Sequence, residues 1–329
     1  MNTNPYVGEH PLPIQNAKVI GTEVATEVYL RQAPGVRRGM PEYCIGRSDL
    51  KTILGECPEY WIKQGACEDE PEEKDTESTI WGSMMDCLLL TPGQWAERYA
   101  CTPATYTDRK TGEVKPWHGA ATPCKEWNAA HEGKIIVNPK KQADIEQARA
   151  QFFEKPRVKK FLEASPRRQV LVMGEWKHKK AVVPVKALID FVPNDGTDFC
   201  SDLGDYKTSA VLATGPWPFL VDKYGYDMQS ALYLDLWNAA TGEQRNGFRH
   251  LIQLNKPPWI FGTRIMSAAF IEVGRWKLIE AMDRYVDSLT TGVWGDYEFQ
   301  AEGMQIEGWL FVEPTEKMLE RYAHKADSK

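Results

Sequence analysis

The sequence predicts an α/β protein, with a central mixed β-sheet flanked by helices and a largely helical N-terminal part. Three consecutive segments, at 169–177, 181–192 and 200–208, have the apolar content and the bounding turn residues of β-strands. A helical pattern at 225–240 follows them, and 248–254 has the pattern of another strand. Strands that cluster in the middle of a chain, with helical segments around them, are typical of a sheet covered by helices.

The composition along the chain divides it into three regions. We expect an N-terminal arm and helical region with an acidic loop at 1–78, a core at 79–300 with an irregular insertion at about 101–140, and a tail at 301–329. Residues 1–40 are rich in Pro and Gly and show no clear period, which favours an extended arm.

Further elements follow from capping residues and apolar periodicity. Ser48 is the predicted N-cap of a short helix. A helix at 141–163 should kink or split at Pro156, which cannot donate a backbone hydrogen bond. We expect a strand at 265–271 and a helix at 273–290. A core-facing helix is predicted after the acidic loop by apolar residues at i, i+3, i+4, i+7 and i+8, namely Trp81, Met84, Met85, Leu88 and Leu89.

The net charge of -6 arises in one short segment. Residues 68–77 hold seven acidic residues and one lysine, so the rest of the chain carries 39 basic and 39 acidic residues. Basic residues cluster within that neutral remainder and could line a phosphate track, although such a run is also typical of a solvated face. They are Lys155, Arg157, Lys159, Lys160, Arg167 and Arg168, then Lys177, Lys179 and Lys180.

The cysteines and the apolar runs exclude several classes of protein. Seven cysteines are an odd number with no C-x-x-C pair, so neither a disulfide framework nor a zinc ribbon is predicted. No apolar run approaches the ~20 residues of a membrane span. The N-terminus lacks the basic start and apolar core of a secretory signal. We therefore expect a cytoplasmic protein with reduced cysteines.

The most informative motif joins two predicted strands. An apolar run ends in Asp190, a turn follows at 194–196, and the next strand carries Asp205, Tyr206 and Lys207. Residues two apart on a strand share a face, so Asp205 and Lys207 should project side by side. If the two strands pair, Asp190 and Asp205 converge on a hard cation such as Mg²⁺. A D-x-K triplet alone is common on protein surfaces, but the whole arrangement predicts a metal-dependent phosphodiesterase site.

Other candidate site residues carry little information singly. Asp86 lies one helical turn after Gly82 and precedes an apolar patch, where an unpaired carboxylate would be costly. Glu175, on the strand before Asp190, is typical of an exposed strand position. Gln229 and Tyr233 are one turn apart on a helix and could orient a water and a phosphate, or hydrogen-bond each other.

Taken together and in order, these residues resemble the PD-(D/E)xK nuclease superfamily. The likeness is greatest to the phage and prophage exodeoxyribonuclease VIII branch, which is related to lambda exonuclease. It covers about residues 40–300 and is weakest over the insertion. The motifs that carry it are Gly82-x-x-x-Asp86, Glu175, Asp190, Asp205-Tyr206-Lys207 and Gln229-x-x-x-Tyr233, with the flanking words at 81–92, 204–208, 224–233 and 294–297.

The resemblance implies a restriction-endonuclease-like core and a role for each residue. Asp86, Asp190 and Asp205 would hold Mg²⁺, for which Mn²⁺ can substitute, with the Tyr206 carbonyl as a further ligand. Lys207 would position the attacking water. Glu175 would assist a second metal or a water, and Gln229 and Tyr233 would orient Lys207 or the scissile phosphate. Relatives usually carry His where this chain has Asp86. No cysteine follows Cys200, so the iron-sulfur cluster of some relatives is not expected.

The expected function is therefore metal-dependent exonuclease digestion of linear double-stranded DNA, from 5' to 3', in phage-type homologous recombination. The resemblance also implies a homo-oligomeric ring threaded by DNA and a single-strand annealing protein as partner. Two alternatives stay open at this point. One is a structure-specific DNA endonuclease of the same fold, and the other is a catalytically decayed DNA-binding accessory protein of recombination.

Overall fold

The computed structural model describes residues 11–66, 77–212 and 217–296, together with the backbone of two short strands at 305–306 and 309–310. The predicted acidic loop and most of the predicted C-terminal tail lie outside these residues. Within the described helices, none is long and apolar enough to cross a membrane.

A six-stranded mixed sheet forms the centre of the molecule, as the sequence predicts. Its strands lie side by side in the order β1-β6-β7-β8-β9-β10, and β8 and β9 are the parallel pair while the other neighbours are antiparallel. The strands are β1 (Ile14–Gly21), β6 (Arg167–Lys177), β7 (Val182–Val192), β8 (Asp202–Ser209), β9 (Gly247–Leu254) and β10 (Phe261–Ile265). Smaller two-stranded pairs are formed by β2 (Tyr99–Cys101) with β5 (Ile135–Val137), β3 (Thr105–Thr107) with β4 (Val114–Pro116), and β11 (Gln305–Ile306) with β12 (Trp309–Leu310).

Helices cover both faces of the sheet. The described helices are α1 (Thr26–Leu30), α2 (Arg47–Gly55), α3 (Pro58–Ala66), α4 (Glu77–Leu90), α5 (Trp95–Arg98), α6 (Thr122–Ala130), α7 (Pro139–Glu154), α8 (Pro156–Ala164), α9 (Trp217–Tyr224), α10 (Tyr226–Thr241) and α11 (Ala268–Thr291), with a 3-10 turn at Pro92–Gln94. α10 packs on β1, β6, β7 and β9, and α11 packs against α10 and α2. The apolar side chains of α4, α7 and α8 form a second core on the other face.

The connection between β8 and β9 sets up the site. Parallel neighbours need a long crossover, and here α9 and α10 supply it. On the other side, β8 pairs with β7 only at Gly204 and Phe191, so the two strands separate beyond that point. The gap leaves polar side chains of both strands room to meet under the start of α10.

The helix predicted across 141–163 splits at Pro156, as expected, because proline begins α8 at a position where its missing N–H costs nothing. Other boundaries differ from the predictions. Residues 14–21 of the expected arm are an edge strand of the sheet, where β1 pairs with β6. The predicted strand at 265–271 is wrong, since Ser267 caps α11 by accepting a hydrogen bond from the Phe270 N–H.

Two smaller predictions also change. Helix α2 has Gly46 as its N-cap in place of Ser48, and the Asp49 carboxylate accepts the Gly46 N–H at 2.8 Å. The expected irregular insertion at 101–140 contains short regular elements, namely β3, β4, α6 and β5.

Candidate active site

Asp205 and Lys207 project from β8 to the same side, as the strand period predicts. The Lys207 Nζ lies 2.6 Å from the Asp205 Oδ2, and the side chain of Asp205 is 3% exposed while that of Lys207 is 22% exposed. Burial alone would raise the pKa of Asp205, but the charge of Lys207 and the contact with His250 hold that pKa well below its usual range. Asp205 is therefore ionised at neutral pH, and its charge faces a lysine that solvent can still reach.

Helix α10 contributes the second predicted pair. The Gln229 Nε2 donates to the Asp205 Oδ1 at 2.7 Å, and both side chains are buried. Tyr233, one turn further along α10, lies beside Gln229 and close to Asp190 and Asp205. Burial raises the pKa of Tyr233, which therefore stays a neutral hydroxyl. Gln229 and Tyr233 thus lie one turn apart on the side of α10 that faces Asp205.

Asp190 lies where β7 and β8 separate. Its Oδ2 accepts the backbone N–H of Tyr206 at 2.8 Å, so the carboxyl replaces a missing ladder hydrogen bond. Burial raises the pKa of Asp190 well above its usual range, and the negative charges of Asp205 and Asp86 add to the effect. The Tyr206 ring points to the opposite core, where its hydroxyl donates to the Gln253 Oε1 at 3.1 Å.

Asp86 reaches the same cluster from α4 on the other side of the sheet. Burial raises its pKa to about 7, the Asp205 charge adds to the rise, and the Lys207 charge opposes it. Gly82, one turn earlier, lies against β8, where an added methyl group would come within 3.7 Å of the Thr208 Oγ1. The structure thus brings together five predicted positions, which we call the carboxylate cluster, namely Asp86, Asp190, Asp205, Lys207 and Gln229.

Sequence reasoning missed His250. This residue lies opposite Asp205 in the parallel register of β8 and β9, and it is fully buried. Its Nδ1 is 3.4 Å from the Asp205 Oδ2 and its Nε2 is 3.4 Å from the Ser230 Oγ. Burial lowers the pKa of His250, against the pull of Asp205. A histidine followed by the apolar residues Leu251 and Ile252 in a predicted strand was the available signal.

Arg47 was missed as well. It begins α2, and its Nη1 donates to the Tyr224 backbone carbonyl at 3.1 Å while its buried Nε has no hydrogen-bond partner. Its charge lowers the pKa of Tyr233 and so lies close to the hydroxyl of that residue. A lone arginine after a glycine gives no motif by which it could have been found.

Glu175 lies outside the carboxylate cluster. It pairs with Pro184 across β6 and β7, six residues before Asp190, which corresponds to roughly 20 Å along a strand. Its carboxylate accepts hydrogen bonds from Gln15 at 3.2 Å and Asn16 at 2.8 Å, both on the edge strand β1. The structure therefore places this predicted site residue in a contact that joins β6 to the edge strand β1.

The predicted basic track is divided among structural contacts. Arg168 donates to the Leu89 carbonyl at 2.6 Å, and Arg167 donates to the Pro193 carbonyl at 3.2 Å. Lys180 pairs with Asp287 on α11, 2.6 Å away. These three cations therefore bind groups of the protein itself and tie helices and loops to the sheet.

The donor chemistry of the carboxylate cluster fits a hard divalent cation. Its metal-binding groups are carboxylate oxygens, and burial leaves Asp86 and Asp190 with raised pKa values, so that a cation could replace their protons. The grouping is incomplete, because within the described residues no three His, Cys, Asp or Glu side chains together form a metal-holding set. Asp205 instead faces Lys207 and Gln229.

No protein-family model matches the sequence, and no curated protein matches it by sequence. Among solved structures, a protein of Eubacterium rectale named as a candidate exonuclease is similar, with a TM-score of 0.54 and 14% identity. That match covers 92% of this chain and 99% of the other. A match to Rai1 of Scheffersomyces stipitis has a TM-score of 0.25 and 8% identity over 68% of each chain, which is too low to carry an argument. The chain thus shares the mixed α/β fold of the Eubacterium rectale protein.

Proposed function

We propose that the protein is a metal-dependent DNA nuclease whose reaction centre is the carboxylate cluster. The observation that carries the proposal is the placement of Asp205 between Lys207 and Gln229, with Asp86 and Asp190 close enough for the Asp205 charge to raise the pKa of each. Burial and neighbouring acids raise the pKa of the Asp86 and Asp190 carboxyls beside the Lys207–Asp205 pair, and carboxyls with such shifted pKa values are concentrated at functional sites.

In this proposal the residues have separate tasks. Asp86, Asp190 and Asp205 would hold Mg²⁺ or Mn²⁺, with the Tyr206 carbonyl as a further ligand, and the ion would supply Lewis-acid chemistry to the phosphodiester and to a water molecule. Lys207 orients the attacking water and offsets negative charge as the phosphorus becomes five-coordinate. Gln229 keeps Asp205 in place, and Tyr233 offers a neutral hydroxyl to the phosphate.

For the finer assignment we propose 5'-to-3' exonuclease digestion of linear duplex DNA in phage-type recombination. The resemblance of the D-x-K and Q-x-x-x-Y motifs to those of phage exonucleases supports this assignment, and the fold shared with the Eubacterium rectale protein agrees with a nuclease in general. We further propose a homo-oligomeric ring and a single-strand annealing partner. Cutting of flapped or branched DNA by the same site is the second candidate, since the cluster residues alone do not select an end.

Incubating linear and covalently closed circular duplexes with Mg²⁺ tests the proposal. We expect the linear DNA to shorten and the circles to persist, with no products from Asp205→Asn or in the presence of EDTA. End-labelling either strand terminus then assigns polarity. Nicked or linearised circles would favour the endonuclease, and binding of DNA without any cutting would favour the decayed accessory protein.

A further inference from the structure

A half-exposed tyrosine lies beside the carboxylate cluster without a part in the chemistry described above. Tyr224 is the last residue of α9 and its side chain is 43% exposed. Beneath it, the buried ring of Tyr226 lies 5.6 Å away, centroid to centroid, and is tilted by 31°. The Lys207 Nζ lies 5.8 Å from the centroid of the Tyr226 ring. The exposed ring is thus separated from the candidate catalytic lysine by a single aromatic side chain.

The three rings form a continuous stack from the core to the surface. His250 contacts the Asp205 carboxylate, and its ring centroid is 5.1 Å from that of Tyr226. Tyr226 in turn contacts Tyr224. The interplanar angles are 36° and 31°, and Tyr224 is the exposed member at the end of this series.

The backbone holds Tyr224 in place. Arg47 donates to the Tyr224 carbonyl at 3.1 Å. Gly225, which follows, has a φ of 66°, the left-handed conformation that separates α9 from α10 and that a side chain would disfavour. The backbone that carries the ring is therefore constrained at the junction of two helices. This constraint reduces the conformational entropy that is lost when a ligand stacks on the ring, which favours a binding surface.

Positive charge surrounds this ring. The Lys223 Nζ is 5.5 Å from the centroid of Tyr224, and the aliphatic part of Lys51 packs beside Gly225, whose added methyl group would come within 3.1 Å of it. Arg47 lies on the cluster side. An exposed aromatic face among cations is the arrangement with which proteins bind single-stranded nucleic acid, since bases stack on the ring while the phosphates meet the charges.

We propose that Tyr224 stacks on a nucleobase of the strand being cut, next to the phosphate that the carboxylate cluster attacks. This inference rests on the proposed nuclease function and adds a substrate-positioning residue to it. Stacking requires an unpaired base, so the strand must be unpaired at the cluster. The substrate at the moment of cleavage is then a single strand, a frayed duplex end or a flap.

Kinetics of matched variants test the stack. We expect Tyr224→Phe to behave like the wild type, and Tyr224→Ala and Tyr224→Leu to raise KM by roughly 5- to 100-fold with little change in kcat, the usual effect of losing one base–aromatic stack. Leucine keeps the apolar bulk and so keeps the fold if alanine does not. Tyr60→Ala is the control, because Tyr60 is similarly exposed at 45% and lies on α3. An unchanged KM in both Tyr224→Ala and Tyr224→Leu overturns the inference.

A binding measurement in EDTA separates this inference from the proposed function. Oligonucleotides carry 2-aminopurine at each terminal position in turn, and stacking on a ring quenches its fluorescence. We expect quenching by the wild type at one position, and loss of that quenching in Tyr224→Leu but not in Tyr60→Ala. Equal quenching by the wild type and Tyr224→Leu overturns the stack even if the protein cuts DNA. Position-specific quenching by a wild type that never cuts DNA supports the stack and overturns the nuclease.

A change in the substrate completes the test without a new protein. Removing the base at the quenched position should raise the wild-type KM as much as Tyr224→Leu does. The same abasic substrate should have no further effect on Tyr224→Leu, because the two changes remove one shared contact. Independent, additive losses would show that the base binds elsewhere.

Discussion

Gln229 and Asp205 are joined by a buried hydrogen bond of 2.7 Å that links α10 to β8. The bond fixes the Asp205 Oδ1, while the other oxygen, Oδ2, faces Lys207 at 2.6 Å. The carboxylate is therefore held by the crossover helix on one side and by its own strand on the other. This hydrogen bond connects the topology of the sheet to the chemistry proposed for the cluster, because α10 is part of the crossover that joins the parallel strands β8 and β9.

Removal of the charge of either Asp205 or Lys207 should stop the reaction while leaving the protein folded. We expect Asp205→Asn and Lys207→Met each to lower the cleavage rate by at least ~10²-fold, the usual cost of one well-placed electrostatic group. Asparagine keeps the size of the side chain and can still meet Gln229, so circular dichroism should not change. Near-normal digestion by either variant would show that the reaction centre lies elsewhere.

Glu175 offers a contrasting carboxylate on the neighbouring strand. Because Gln15 and Asn16 engage it at the sheet edge, we expect Glu175→Gln to cut DNA at close to the wild-type rate. The free energy of unfolding should fall by only about 1 kcal/mol, the net contribution of an ordinary hydrogen bond, because glutamine keeps one acceptor oxygen for these contacts. A loss of activity comparable to that of Asp205→Asn, measured side by side, would return Glu175 to the site.

The strands around the cluster could be predicted because apolar runs and the two-residue period of a strand are visible in the sequence itself. Asp190 ends an apolar run and Lys207 follows Asp205 at the strand period, so both the elements and the shared face were predictable. Pro156 likewise marks a break that the structure shows. Glu175 obeys the same local rules, yet only the register of β6 on β7 places it far from Asp190.

Contacts between distant segments were beyond sequence reasoning. His250 meets Asp205 only because β8 and β9 pair in parallel, and nothing local specifies that register. Arg47 reaches the site because α2 packs against α10, an event of tertiary folding. The edge strand β1 was assigned to an arm because residues 1–40 are rich in Pro and Gly and show no clear period. Long-range pairing overrode weak local signals in each case.

Arg47 should contribute to binding of the DNA backbone more than to the chemical step. The Arg47 Nη1 donates to the Tyr224 carbonyl, whereas its Nε has no hydrogen-bond partner. The guanidinium lies near Tyr233, where it could bind a phosphate. We expect Arg47→Gln to weaken DNA binding and to reduce the slope of log affinity against log salt by about one. Fluorescence anisotropy over a salt series measures this. A parallel salt dependence in wild type and variant would remove Arg47 from the phosphate contacts.

Asp86 makes stability depend on pH in a defined direction when no divalent cation is present. Its pKa in the folded protein is about 7, raised mainly by burial, whereas an unfolded aspartate titrates near ~3.9. The folded state therefore binds the extra proton between these values, and its stabilising effect is complete below about pH 4 and lost as the pH rises through about 7. Asp190, also raised, acts in the same direction.

The variant Asp86→Asn isolates this effect, because the amide stays neutral at every pH. In EDTA, we expect the wild-type Tm to fall relative to that of Asp86→Asn between pH 5 and pH 8. Added Mg²⁺ should stabilise the wild type more at pH 8 than at pH 5, because at pH 8 Asp86 has already lost the proton with which the cation competes. Mg²⁺ should also stabilise Asp86→Asn less than it stabilises the wild type. Calorimetry at the two pH values, with and without the cation, checks both expectations. Melting curves of wild type and variant that shift together with pH would show that Asp86 titrates normally and is no part of a cation site.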